Sequence, residues 1–160
     1  MTLPPFDDHG NLPSGDYWPT EADFEGRFVN VAGSSSRENI YAGFKNHRAE
    51  LLAAGVDDAA SCMLDGSYTT SKLDPGDIDL VVEVDAFLFQ DSERLQELLS
   101  GPDAKPDFSC DAYPLLVLPE DHPQFEQITQ KGRTYWHKWF GRDRANNPKG
   151  RVWATARGFR

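Results

Sequence analysis

Two short motifs separated by nine residues hold the side chains needed to bind a phosphorylated ligand and a divalent cation: Gly66-Ser67 and Asp77-Ile78-Asp79. Val81, Val82 and Val84 extend the second motif as an apolar, β-branched run, which predicts a strand. Side chains two apart on a strand face the same way, so Asp77 and Asp79 stand together on one face. Two carboxylates that close repel each other unless a cation or a shared proton compensates. Mg²⁺, or Mn²⁺ in its place, takes one or two carboxylates and completes its shell with water and phosphate oxygens. Upstream, Gly66 permits close approach of an anion to the backbone, Ser67 offers a hydroxyl and an N–H, and Lys72 can reach the same anion.

In-line phosphoryl transfer with two metal ions needs bridging carboxylates, so a third acid is expected from a neighbouring strand. Asp111 is the first candidate, because Phe108-Ser109-Cys110-Asp111-Ala112-Tyr113 is otherwise apolar and an unpaired carboxylate there is costly to bury. Asp107 and Asp85 are the alternatives. Asp74-Pro75-Gly76-Asp77 fits a type II turn, with Pro setting φ and Gly supplying a positive φ, and that turn would aim the two aspartates.

The elements that must carry these residues can be read coarsely. Residues 1–19, with Pro4, Pro5, Pro13 and Pro19, predict an extended arm. Thr20 with Asp23 resembles a capping box and opens a helix bearing Phe24 and Phe28. Ser35 with Glu38 opens a second, whose Ile40, Phe44, His47 and Leu51 share a stripe until Gly55 ends it. Cys62-Met63-Leu64 is a short buried strand. Asp91-Ser92-Glu93 opens a third helix, stopped by Gly101-Pro102. Phe108 to Leu118 is a strand that Pro114 assigns to an edge or a bulge. Pro123 to Phe140 is a fourth helix, weakened at Gly132, and Arg151 to Ala156 adds a last strand. The sum is one α/β domain over residues 20–160, a mixed sheet covered by helices.

The 160 residues suit one domain with a real core. No apolar run is long enough to span a membrane, and Met1-Thr2-Leu3-Pro4-Pro5 has no secretory-signal character, so a cytoplasmic protein with no membrane partner is expected. Cys62 and Cys110 lie in apolar stretches and read as buried, reduced thiols. His9, His47, His122 and His137 show no paired ligand spacing for zinc. The net charge of −10 is unevenly spread. From Lys131 onward nine Lys or Arg stand against one acid, Asp143, a net of +8, while the first 130 residues carry seven bases and 25 acids, a net of −18. Such a basic C-terminal segment either folds over an acidic body or faces phosphates. Within it, Tyr135-Trp136-His137-Lys138-Trp139-Phe140 interleaves rings and bases as single-strand nucleic-acid binders do, although helical spacing places Trp136, Trp139 and Phe140 in a core.

The Gly66-Ser67 pair, nine residues, then Asp77-Ile78-Asp79 between apolar flanks resembles the signature of the polymerase-beta-like nucleotidyltransferase superfamily, whose smallest members transfer a nucleoside monophosphate from an NTP. Along most of the chain the similarity extends to a group of small bacterial proteins of that superfamily. It is carried by Leu3-Pro4-Pro5-Phe6-Asp7-Asp8-His9-Gly10-Asn11-Leu12-Pro13, by Leu64-Asp65-Gly66-Ser67, and by Trp139-Phe140-Gly141-Arg142-Asp143-Arg144 with Lys149-Gly150. The resemblance implies the superfamily's fold, Mg²⁺ on Asp77, Asp79 and Asp111, and NTP phosphates on Gly66, Ser67 and Lys72. It also implies a hydroxyl acceptor on a protein, as in antitoxins that modify a paired HEPN toxin, on an RNA end, or on a small molecule. Where the smallest members carry an Arg and a Gly after Gly-Ser, this chain has Tyr68-Thr69-Thr70-Ser71-Lys72. The rival expectation is a binding module of the same fold without turnover, acting as an antitoxin-like or regulatory partner.

Overall fold

The computed structural model describes residues 2–160; Met1, the first residue of the expected arm, lies outside them. Four of the five strands come from the apolar runs. Strand β2 (Ser61–Asp65) is antiparallel to β3 (Ile78–Asp85), which is parallel to β4 (Cys110–Val117). Strand β5 (Arg151–Thr155) enters on the other side of β2, antiparallel to it, and the two-residue β1 (Asp16–Tyr17) pairs with β5. The order β1-β5-β2-β3-β4 is a mixed sheet, as expected. Pro114 is tolerated because β4 is an edge strand.

Alternation along the strands gives the sheet two unlike faces. Cys62, Leu64, Ile78, Leu80, Val82, Cys110, Ala112, Val152 and Ala154 point into the main core. They meet Phe24 of α1 (Glu21–Phe24), Ile40, Tyr41, Phe44 and Leu51 of α2 (Arg37–Ala53), and Leu95 and Leu98 of α4 (Glu93–Leu98). Thr20 caps α1 through Asp23 as expected, and a π-helical turn over Glu25–Val29 carries Phe28 onward. Ser34, not Ser35, accepts from the first backbone N–H of α2. Two short helices have no counterpart in the sequence reading: α3 (Ala86–Asp91), capped by Asp85, and α5 (Lys105–Phe108).

The opposite face holds a smaller apolar cluster of Met63, Val81, Leu115 and Phe140, with Tyr113, Trp136 and Trp153 against it, under α6 (Lys131–Trp139). The predicted fourth helix thus begins as a π-helical segment, Glu126–Gln130, before becoming α6. Phe140 is core and Trp136 half-buried, but Trp139 is 65 % exposed and stacks in parallel on the exposed Tyr135. Residues 3–17 are built into the domain: Leu3 and Leu12 belong to the core, and Gly10 accepts from the Ser71 backbone.

Candidate functional site

The register of the sheet sets the acids side by side. Asp65 is paired with Asp79 across β2 and β3, and Asp79 with Asp111 across β3 and β4. Neighbours so paired lie about 5 Å apart on one face, here the face of Met63 and Val81. Asp77, immediately before β3, joins them: Asp77, Asp79 and Asp111 each offer a carboxylate oxygen within 4.8 Å of the others. All three are half-buried. Burial raises the Asp79 carboxyl to about 6, helped by the charges of Asp77 and Asp111. Asp111 is raised too, chiefly by burial and then by Asp77. Its Oδ1 is buried without a hydrogen-bond partner among the described residues. A half-dry group of acids with an orphaned oxygen fits a hard cation that takes oxygen ligands. Of the alternatives to Asp111, Asp85 caps α3 and Asp107 is exposed on α5.

Two lysines sit on this cluster; Lys105 was not singled out from the sequence, and Lys149 was named there only as part of the resemblance, without a role in the site. Lys105, at the start of α5, places its ammonium 2.5 Å from Asp77 Oδ2. Lys149, 3 % exposed, lies against the buried Asp65 carboxylate and donates to the Gly66 carbonyl at 2.6 Å. Burial raises Asp65 while Lys149 pulls the other way. Lys72 is exposed and is joined to none of these acids by an ion pair among the described residues.

The loop from Gly66 to Asp77 is held from below by a buried cation. Arg37, 1 % exposed, donates to the carbonyls of Phe28, Tyr68, Thr70, Lys72 and Leu73, and its guanidinium lies over the Tyr68 ring. The type II turn is not formed: Gly76 has no positive φ. Asp74 instead accepts from Ser34 and Ser35, and Pro75 from Ser36, so the segment is fixed by the start of α2. Gly66 does adopt φ +76°, and a Cβ there would collide with the Asp79 carboxylate. Ser67 opens a 3₁₀ turn, half-buried, with no hydrogen bond to its hydroxyl among the described residues. At the other end, Gly43 of α2 lets the Phe108 backbone approach closely, and Ser109, at φ 55°, turns the chain into β4 and hence Asp111.

The basic segment does fold over acids: Arg133 pairs with Glu83, Arg151 with Asp16 and Lys149 with Asp65. Asp143, its one acid, is taken up by Asn11 and Asn147, which hold it at about 2 and shape the loop carrying Arg144, whose charge is felt by Asp79. Cys62 and Cys110 are free and buried, and burial pushes the Cys62 thiol up to about 12. His47 is a core residue whose Nε2 donates to the Leu98 carbonyl. No helix of the described residues is long and apolar enough to cross a membrane.

No curated protein and no solved structure matches the chain. A family model matches residues 4–155, taking in the acidic cluster and both of its lysines, and on that match the chain belongs to DUF6932, a family of unknown function.

Proposed function

We propose that the protein is a metal-dependent nucleotidyltransferase of polymerase-beta-like fold. The observation that carries this reading is the convergence of Asp77, Asp79 and Asp111 beside a rigid Gly66-Ser67 loop, with Asp111 Oδ1 left without a partner. Asp77, Asp79 and Asp111 would hold Mg²⁺ or Mn²⁺. When bound, the ion supplies Lewis-acid stabilisation of the charge on the phosphate oxygens. The chain's own part is orientation and proton handling. Gly66 and Ser67 present N–H groups and a hydroxyl to the NTP phosphates. Asp111 accepts the proton of an acceptor hydroxyl as its oxygen bonds to the α-phosphorus. The bond from that phosphorus to the bridging oxygen breaks, and pyrophosphate leaves with the electron pair.

The test is calorimetric titration of Mn²⁺ into wild type and Asp77→Asn/Asp79→Asn, followed by incubation with each labelled NTP and a host lysate. Binding lost in the variant, and label transferred only by wild type, support the reading; identical titrations overturn it.

One observation favours a second reading, a module of the same fold without turnover that acts as a regulatory or antitoxin-like partner. The Lys105 ammonium on Asp77 gives the cluster a cation of its own. If Lys105→Ala binds Mn²⁺ and wild type does not, the second reading holds.

A further inference from the structure

Between α6 and the sheet, on the face that carries the acids, runs a cleft of about 700 Å³. Its floor is Met63, Val81, Leu115 and Trp153, its walls are polar and include Glu83, whose charge Arg133 takes up, and its rim includes Lys138 and Arg142. That volume is in the range of sites for small organic ligands, which pair an apolar lining with a few placed polar groups. Val81 lies two residues past Asp79 on the same strand face and Met63 two before Asp65, so the cleft opens about 7 Å from the acids.

The charges at the rim are not all spent. Arg133 is held by Glu83, while Arg151 and His137 face Asp16. The Lys138 ammonium has no ion-pair or hydrogen-bond partner among the described residues, and the Arg142 guanidinium donates only to the Asn146 carbonyl. Two cations with no acid partner among the described residues, above an apolar, partly aromatic floor, match an anion with a flat apolar body.

We propose that this cleft binds a mononucleotide-sized organic anion, its ring on Met63 and Trp153 and its anionic group on Lys138 and Arg142. Under the transferase reading, on which this last step rests, that molecule is the acceptor, presenting its hydroxyl toward Asp111, which lies beside Asp79 in the sheet. The acceptor is then a small molecule or a terminal nucleotide.

Binding is tested without metal or NTP, by titrating full-length protein in EDTA with anilinonaphthalene sulfonate, an anion on an aromatic body, and displacing it with uridine monophosphate or with uridine. Wild type is expected to bind the dye at one saturable site, from which uridine monophosphate displaces it and uridine does not. Lys138→Ala/Arg142→Ala should weaken binding by about tenfold or more, the scale of a lost charge-assisted hydrogen bond. Thr134→Trp, a substitution at an exposed rim position, should fill the cleft and remove binding. All three residues are exposed, so the thermal transition of each variant should match wild type. Unchanged dye affinity in both variants, or equal displacement by uridine, overturns the proposal. Asp77→Asn/Asp79→Asn should bind the dye as wild type does, so a failure of metal binding leaves the cleft standing and a failure of dye binding leaves the metal site standing.

Discussion

The α-carbon of Gly66 faces the carboxylate of Asp79 with no room for a methyl group between them. The glycine is therefore tied to the acid as much as to any phosphate. Gly66→Ala is expected to displace the Asp79 side chain and to abolish Mn²⁺ binding. The Gly66 backbone, at φ +76° and ψ −165°, lies in a region almost confined to glycine and adds a cost of about 1 to 3 kcal/mol for a side chain there. Calorimetry with a denaturant midpoint on the same sample checks both. Wild-type Mn²⁺ affinity would show that the carboxylate does not need the space.

Asp79 makes a signed prediction for pH. Its carboxyl is raised from 3.8 to about 6, so between those values the folded state holds more protons than the unfolded state. Stability from this group therefore falls as pH rises through that window and the loss is complete above it. Asp79→Asn removes the effect: without metal it should be more stable than wild type above about pH 6, with the difference shrinking toward pH 4. A divalent cation competes with the same proton, so wild-type Mn²⁺ affinity should climb over the same range. Denaturant midpoints in EDTA and Mn²⁺ titrations across pH measure the two arms.

Lys149 and Asp65 form a buried pair, and removing one partner strands the other. Lys149→Met should cost about 3 to 5 kcal/mol. Adding Asp65→Leu should recover most of it, because no buried charge is then left uncompensated. Equal midpoints for the single and double variants would show that the pair is not coupled.

Arg37→Met should loosen the loop from Tyr68 to Leu73 by leaving buried carbonyls without donors. Two of the Arg37 bonds, to Phe28 and Tyr68, are fully buried; each such carbonyl left without a donor costs about 1 to 3 kcal/mol, so a loss of about 2 to 6 kcal/mol is expected. Hydrogen exchange should quicken at the Thr70 and Ser71 amides. Unchanged exchange there would mean that Ser34, Ser35 and Ser36 suffice to hold the loop.

The parts of this structure written in a regular period were legible in the sequence. The stripe Ile40, Phe44, His47 and Leu51 buries as α2, and the β-branched run after Asp79 is β3. Asp111 could be singled out because an acid among apolar neighbours demands a reason, and its register with Asp79 supplies one. Helices α3 and α5, six and four residues long, are too short to display a period. The turn at Gly76 was misread because local Pro-Gly chemistry gave way to long-range bonds from Ser34, Ser35 and Ser36. Trp139 has core-like spacing yet lies beyond the reach of the small cluster under α6. Lys149 was illegible for another reason: it stands in a basic run like any solvated lysine, and Gly66, which it touches, is 83 residues away.

The position of β5 has a consequence for how the molecule comes into being. This strand, the last of the five in chain order, is among the described residues the only hydrogen-bonded link between β1 and β2, and Lys149 lies just ahead of it. On the ribosome, Asp65, Asp79 and Asp111 are made long before the residue that neutralises one of them and the strand that closes the sheet. Until β5 inserts, β2 is an open strand edge and its Asp65 has no ammonium beside it. Assembly waits on a contact of high sequence separation, which makes closure late and slow. The register of Asp65, Asp79 and Asp111 is set by β2, β3 and β4 alone, so the acids can stand side by side before β5 closes the sheet and Lys149 settles against Asp65.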